Sequence, residues 1–409
     1  MSSILGTVFS TRMLVILCLG FSSGIPFAAT LGTLQAWMKD ASVDLTVITM
    51  YAYARLPYTI KFLWAPLMDR FVPPFLGRRR GWMVITQLLL VLSLGLLGLC
   101  DPQKAPLLVA IVVMLICFFS ASQDIVLDAH RRDMLEDKEL GLGSSLFIAG
   151  YRLGMLFAGG FAFYLADHMP WSKVYFVLGA SILVGIAATF FAPEPESNSA
   201  RAQNLFEAFI GPLKDYFKRP RAIEILAFIL LYKLGDNLAG AVSTFFVLDL
   251  GFTKTEYFTI VKTFGLCAMI AGGLIAGGIV IRIGINKALW IFGLFQAASI
   301  IGFSFLAEIG HNKEALTTII VIETLSIGMG TAAYAAFMAR LCNKEFSATQ
   351  YALLTSLMGI PQIFLSGQSG DLAKAVGFQL YFVICATAAI PGYLLLFRVA
   401  RWDTEQIPS

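Results

Sequence analysis

Long runs of residues with almost no charge recur along the whole chain, and a soluble core cannot absorb them. Each run reaches the roughly 20 residues that an α-helix needs to cross a hydrocarbon layer about 30 Å thick. Inside that layer water cannot satisfy backbone polar groups, so only helices and closed barrels are viable. Barrel strands would read as alternating segments of about ten residues. The runs here are unbroken, which predicts an all-α integral membrane fold. Composition agrees: 58% of the 409 residues are hydrophobic and 14% are charged, against about 45–50% and about 25% in soluble domains. One very large soluble core would need amphipathic stripes, and few are present.

The runs lie near residues 12–37, 45–67, 81–100, 105–128, 142–166 and 171–191, and again near 223–248, 255–281, 287–307, 315–339, 347–369 and 376–399. That predicts about twelve transmembrane helices in two six-helix bundles, 1–192 and 223–409, joined by a polar linker at 193–222. The layout resembles that of major facilitator transporters, in which substrate binds near the midplane between the halves. The first run is too long for the core of a signal peptide, so it reads as a retained span. Arginine crowds one set of loops, with Arg12, Arg70, Arg78 to Arg80, Arg131, Arg132, Arg201, Arg219 and Arg221. The alternate loops carry little beyond Lys39, Lys104, Lys173, Lys254, Lys313 and Lys374. By the positive-inside rule both termini and the linker face the cytoplasm, and an even span count agrees. Within the linker, residues 204–218 read either as a helix on the membrane surface, with Leu205, Phe209 and Leu213 on one side, or as a solvated connector.

The net charge of +4 sits in short loops and implies no nucleic-acid partner. The six cysteines form no CxxC pair, so neither a disulfide frame nor a metal site is expected, and no cofactor is implied. The chain is expected to act as a monomer in the bilayer.

After the second span comes Asp69-Arg70-Phe71, then Gly77-Arg78-Arg79-Arg80. This is similar to the superfamily signature G-x-x-x-D-R-x-G-R-R, stretched by Val72 to Leu76. Its chemical sense is a conformational latch built from Asp69, Arg70, Gly77, Arg78 and Arg79. A carboxylate at a helix end can pair with arginines and with the N-terminus of a neighbouring helix. Plain positive-inside anchoring would explain the arginines but not Asp69. Charges within the spans are costly and usually face a polar interior. They include Arg55, Lys61, Asp124, Asp128, Arg152, Lys233, Asp236, Lys262 and Glu323. Asp124 and Asp128 are four apart and share a helix face. Asp124, Asp128, Asp236 and Glu323 are the candidates for proton coupling. Asp128 reads equally as a structural partner of Arg131 and Arg132, and Lys233–Asp236 as a neutral packing pair.

Longer stretches resemble the muropeptide permease (AmpG) family: GFSSGIPFAATLGTLQAWM, KFLWAPLMDRF, SASQDIVLDA, GYRLGML, LYKLGD and MGTAAYAAFMARLCNKEFSATQYALL. The resemblance runs from about residue 12 to about residue 400. It implies proton-driven import of N-acetylglucosaminyl-1,6-anhydro-N-acetylmuramyl peptides from periplasm to cytoplasm, for cell-wall recycling, by a protein of the bacterial inner membrane. Gly24, Gln123, Asp124, Asp128, Tyr151, Arg152, Lys233, Asp236, Ser347, Thr349 and Gln350 match the family's motif residues. A sugar-peptide ligand wants aromatic faces and amide partners. Gln35, Tyr53, Tyr334 and Gln362 join Gln123, Tyr151, Arg152, Lys233 and Gln350 as candidates for binding it. Arg55 departs from the family pattern and adds a cation. That leaves open a related carrier of another anionic solute, such as a siderophore or a coenzyme A thioester. Many members also carry two further C-terminal spans, whereas this chain reads as twelve. A polytopic membrane enzyme is the remaining alternative. The three histidines, His130, His168 and His311, lie far apart in predicted loops, and no catalytic motif is apparent.

Overall fold

The computed structural model describes residues 10–43, 51–195 and 205–402. Every regular element among them is helical. Among the described residues, ten helices are long and apolar enough to cross a membrane: α1 (Thr11–Met38), α3 (Arg78–Leu99), α4 (Pro106–Met134), α5 (Leu140–Ala166), α6 (Trp171–Phe191), α8 (Ala222–Asp249), α9 (Thr259–Ile283), α10 (Ile285–Ile309), α11 (Lys313–Leu341) and α13 (Phe378–Val399). The two other expected spans are helical in a different way. α12 (Ser347–Val376) is 30 residues long and carries polar side chains through its first three turns. α2, residues 51–70, is broken into a 3-10 turn at Tyr51–Arg55, a helical turn at Leu56–Ile60, a second 3-10 turn at Lys61–Leu63 and a helix at Ala65–Arg70. Pro57 and Pro66 explain the breaks. Proline has no N–H to donate and favours the first positions of a helix. Both α-helical pieces of α2 start at one. A short helix, α7 (Leu205–Phe217), lies in the expected linker.

Packing divides the chain into two compact units. The first draws on Met1–Glu136, Leu146–Pro212 and Cys342–Ser356, and the second on Asp137–Ser145, Leu213–Leu341 and Leu357–Ser409. The opening turns of α12 therefore belong to the first unit, and those of α5 to the second. The first unit buries Leu90, Leu94 and Leu97 of α3 with Val109, Val112, Val113 and Ile116 of α4. These are the i, i+3, i+4 spacings that put side chains on one helix face. The second unit is built around Phe246, Phe303 and Phe382, the last two stacked at 4.9 Å.

Glycine sets how closely helices approach. A Cβ added to Gly24 would lie 2.0 Å from the Tyr151 carbonyl oxygen, and one on Gly150 would lie 2.1 Å from that of Leu17. Gly20 and Gly154 are equally tight, so α1 and α5 meet backbone to backbone over two turns. In the second unit Gly272 and Gly328 do the same for α9 and α11. Small residues permit this contact in a bilayer, where no hydrophobic force drives helices together. Farther along the first seam, α1 and α5 each widen into a π turn, at Ala29–Thr33 and Phe157–Phe161. The Thr33 hydroxyl donates across the seam to the Ala158 carbonyl at 2.6 Å.

Gly24→Ala and Gly150→Ala should each lose about 1–3 kcal/mol through overpacking. Gly32→Ala, where a Cβ meets nothing within 4 Å, should lose none. Melting temperatures of the three purified variants in one detergent give the comparison, and equal melting points would refute the seam.

Candidate functional site

The first cluster surrounds Asp69 at the end of α2. Arg79 lies in the first turn of α3 and is almost wholly buried, with a side-chain exposure of 1%. Its guanidinium donates to Asp69 Oδ1 at 3.0 Å, to Asp133 Oδ2 at 2.8 Å and to the Ser347 hydroxyl at 2.7 Å. The Asp69 carboxylate also accepts from the Thr349 backbone N–H at 2.8 Å and the Thr349 hydroxyl at 2.7 Å. It thus supplies an acceptor to the otherwise unpaired N–H groups that open α12. Glu194 closes the opposite side, accepting from the backbone N–H groups of Arg79 and Arg80 at 2.9 Å each. Gly77 has φ +84°, and a Cβ there would lie 2.7 Å from the Glu194 side chain. Arg78 donates to the Asp69 carbonyl at 3.4 Å, while Arg70 lies over the Phe71 ring.

Gln350, one residue beyond Thr349, accepts from the Asn343 N–H at 2.8 Å and donates to the Pro212 carbonyl at 3.1 Å. It ties the α12 entrance to α7. Asp128 pairs with Arg131 at 2.9 Å, and Arg131 also donates to the Tyr351 hydroxyl at 2.8 Å.

The second cluster lies deeper in the first unit. Phe27 of α1 is its hub. The Arg55 guanidinium lies 4.3 Å from the Phe27 ring centroid, and the rings of Tyr58 and Tyr151 lie 5.6 and 6.0 Å away. The Gly24–Tyr151 contact brings Tyr151 and Arg152 against α1. Asp124 accepts from the Ser23 hydroxyl at 2.5 Å and is within electrostatic reach of Lys61. Beside it, Gln123 is fully buried, and neither its amide oxygen nor its nitrogen has a hydrogen-bond partner among the described residues.

The third cluster belongs to the second unit. Lys233 sits at the junction between two segments of α8 and donates to Asp236 at 3.1 Å and to Gln296 at 3.0 Å. Glu323 of α11 is buried within electrostatic reach of both Asp236 and Lys233, and its carboxyl has no hydrogen-bond partner among the described residues. Tyr334 is buried, stacks on Tyr232 at 5.3 Å and donates to the Ile229 carbonyl at 2.6 Å. That places it in the packing beside the cluster. Gln35 is exposed near the end of α1. The side chains of Tyr53 and Gln362 lie outside the described residues. Among those residues no group of His, Cys, Asp and Glu is placed to hold a metal ion.

A family model described as Major Facilitator Superfamily matches residues 13–366. The chain belongs to this superfamily. Within it the chain belongs to the AmpG group. It is 41% identical to the anhydromuropeptide permease of Escherichia coli K12, over 96% of this chain and 80% of that one. A Haemophilus influenzae protein is 42% identical over 99% of this chain and 98% of its own length. A Rickettsia felis transporter carrying the AmpG name is 33% identical, covering 95% and 97%. The human organic anion transporter MFSD10 shares the fold at a TM-score of 0.68 and 13% identity, covering 94% of this chain and 99% of that one. The chain is therefore a multi-pass membrane transporter and not an enzyme.

In this major facilitator chain several site residues were not among the sequence candidates. Ser23, Phe27, Asp133, Glu194 and Gln296 are residues whose partners come from elements distant in sequence. Only their presence near motif residues hints at them. The Asp69 cluster makes a graded prediction. Thr349→Val removes one hydrogen bond and should cost about 1 kcal/mol. Asp69→Asn leaves Arg79 buried with one carboxylate fewer and should cost several times that. Thermal unfolding should therefore rank Asp69→Asn below Thr349→Val and both below the parent; the reverse order would overturn this account.

Proposed function

We propose that this protein imports anhydromuropeptides from periplasm to cytoplasm across a bacterial inner membrane, driven by the proton gradient. The observation that carries this reading is the 41% identity to the E. coli anhydromuropeptide permease along 96% of the chain. The interior suits such a cargo. Aromatic rings can face sugars, and unsatisfied amide and guanidinium donors can meet peptide groups. Gln123, Arg55, Tyr151, Arg152 and Lys233 are the binding residues we assign within the described structure.

The working unit is a monomer of two six-helix bundles, 1–192 and 223–409, joined by the linker at 193–222, with both termini cytoplasmic. Asp124, Asp128, Asp236 and Glu323 are the proton-carrying candidates. Asp124 and Glu323 lead, because neither has a salt bridge among the described residues, whereas Asp128 and Asp236 hold Arg131 and Lys233 at 2.9 and 3.1 Å. Asp69 acts as a latch. Its hold on the first turn of α12 must break and re-form for that helix end to move, which gives alternating access a discrete two-state element.

Uptake of labelled anhydromuropeptide into proteoliposomes tests the reading directly. Accumulation under an imposed inward proton gradient that collapses with an uncoupler is the expected result. Absence of uptake by folded, correctly oriented protein would remove the muropeptide assignment and turn the search to siderophores and other anionic solutes. Asp124→Asn and Glu323→Gln should abolish concentrative uptake while leaving membrane insertion intact. If both accumulate ligand as the parent does, these carboxyls do not couple transport to protons. Asp69→Asn should lower the turnover rate severalfold with little change in ligand affinity; an unchanged rate would sink the latch.

A further inference from the structure

The charges of the Phe27 cluster do not balance. Arg55, Lys61 and Arg152 bring three cations into one membrane-embedded neighbourhood. Asp124 is held by Ser23, and both it and Asp128 face Lys61, Asp128 being paired with Arg131 as well. The guanidiniums of Arg55 and Arg152 have no salt bridge among the described residues. The Nε of each is buried without a hydrogen-bond partner, and the one bond of Arg152 is a weak contact to the Met155 sulfur at 3.8 Å. Arginine stays charged in any protein setting. A charged guanidinium within a span is costly unless a counter-charge meets it. Both are half-buried rather than sealed, so a ligand can reach them.

The surroundings refine what that ligand group is. Tyr151 lies within electrostatic reach of Arg55, Arg152 and Asp124, so the two arginines share one neighbourhood. The Arg55 guanidinium lies over the Phe27 ring at 4.3 Å, and a ring offers its N–H donors no acceptor oxygen. A planar fork of donors backed by a ring matches a carboxylate, which accepts two parallel N–H bonds. The Tyr58 hydroxyl, on a ring that packs against the same Phe27, offers a neutral donor beside it.

We propose that Arg55 and Arg152 form a subsite that binds a carboxylate of the transported ligand and makes that carboxylate a condition of efficient transport. The inference rests on the muropeptide reading for its natural ligand, because the N-acetyl sugars are uncharged and the acidic groups lie on the peptide stem. The geometry itself asks only for a carboxylate.

Two measurements on the full-length protein test it. In proteoliposomes, uptake of an anhydromuropeptide with free carboxylates is compared with uptake of the same compound converted to carboxamides. The parent should favour the free acid by about tenfold or more in kcat/KM, the loss expected for a charge-assisted pair left unmade. Arg55→Gln and Arg152→Gln should raise KM for the free acid and leave the amide unchanged, and Arg55→Lys should restore part of the preference. Equal uptake of both compounds by the parent, or the same loss for both in the variants, would overturn the subsite. In detergent, the melting temperature is followed with N-acetyl-D-alanine and with its carboxamide as probes. Stabilisation by the acid alone, lost in Arg55→Gln, supports the subsite even if neither muropeptide is carried, in which case only the muropeptide reading fails. Stabilisation by neither probe, or by both equally, overturns it.

Discussion

A buried guanidinium cannot shed its charge, so everything near Arg79 is arranged to meet it. Asp69 from α2, Asp133 from α4 and Ser347 from α12 converge on one side chain, which joins four helices at one point. Asp69 has acceptor capacity to spare and uses it on the N–H groups that begin α12. A single ion pair therefore also performs a helix-capping task, and neither task can be lost without the other. Buried pairs of this kind contribute little net stability compared with a well-packed apolar contact. What they supply is one defined arrangement of helix ends, which suits a protein that must switch between arrangements.

The fold was legible because the bilayer imposes a length. Nearly uncharged runs such as 81–100 and 287–307 had no other structure open to them, and the helices Arg78–Leu99 and Ile285–Ile309 follow closely. Pro57 marked a disturbance in the second span, but its consequence, a chain of short helical and 3-10 turns, depends on how neighbouring helices support the freed backbone. The π turns at Ala29–Thr33 and Phe157–Phe161 left no mark in the sequence at all, since they arise where two helices must adjust to each other.

The site was legible by residue type and not by pairing. The run Arg78-Arg79-Arg80 signals a cationic turn, yet only helical phase decides that Arg79 points inward while Arg80 reaches the Thr189 and Phe190 carbonyls. Gln350 matched a family motif and is a candidate ligand contact; its bonds to the Asn343 N–H and the Pro212 carbonyl could not be read from the motif. Lys233 and Asp236 were close in sequence, so their bond was foreseeable. Gln296 was not, because it arrives from α10, 60 or more residues away in sequence. The two intramembrane clusters also differ in charge economy: Lys233 is met by Asp236 and Gln296, whereas Arg55 and Arg152 have no salt bridge among the described residues.

The glycine seam between α1 and α5 has a mechanical meaning. Where side chains interlock, helices resist sliding because every knob must climb out of its hole. Along Gly20, Gly24, Gly150 and Gly154 there are no knobs, only carbonyl oxygens against α-carbons. Such a joint is stiff against separation, since any gap forfeits all its close contacts at once, and keyed along its length, since an axial shift would set the Cβ of a neighbouring residue against a carbonyl oxygen. The Thr33 hydroxyl donates to the Ala158 carbonyl in the same register. The pair thus works like a key in its slot and fixes the height at which Tyr151 meets Phe27.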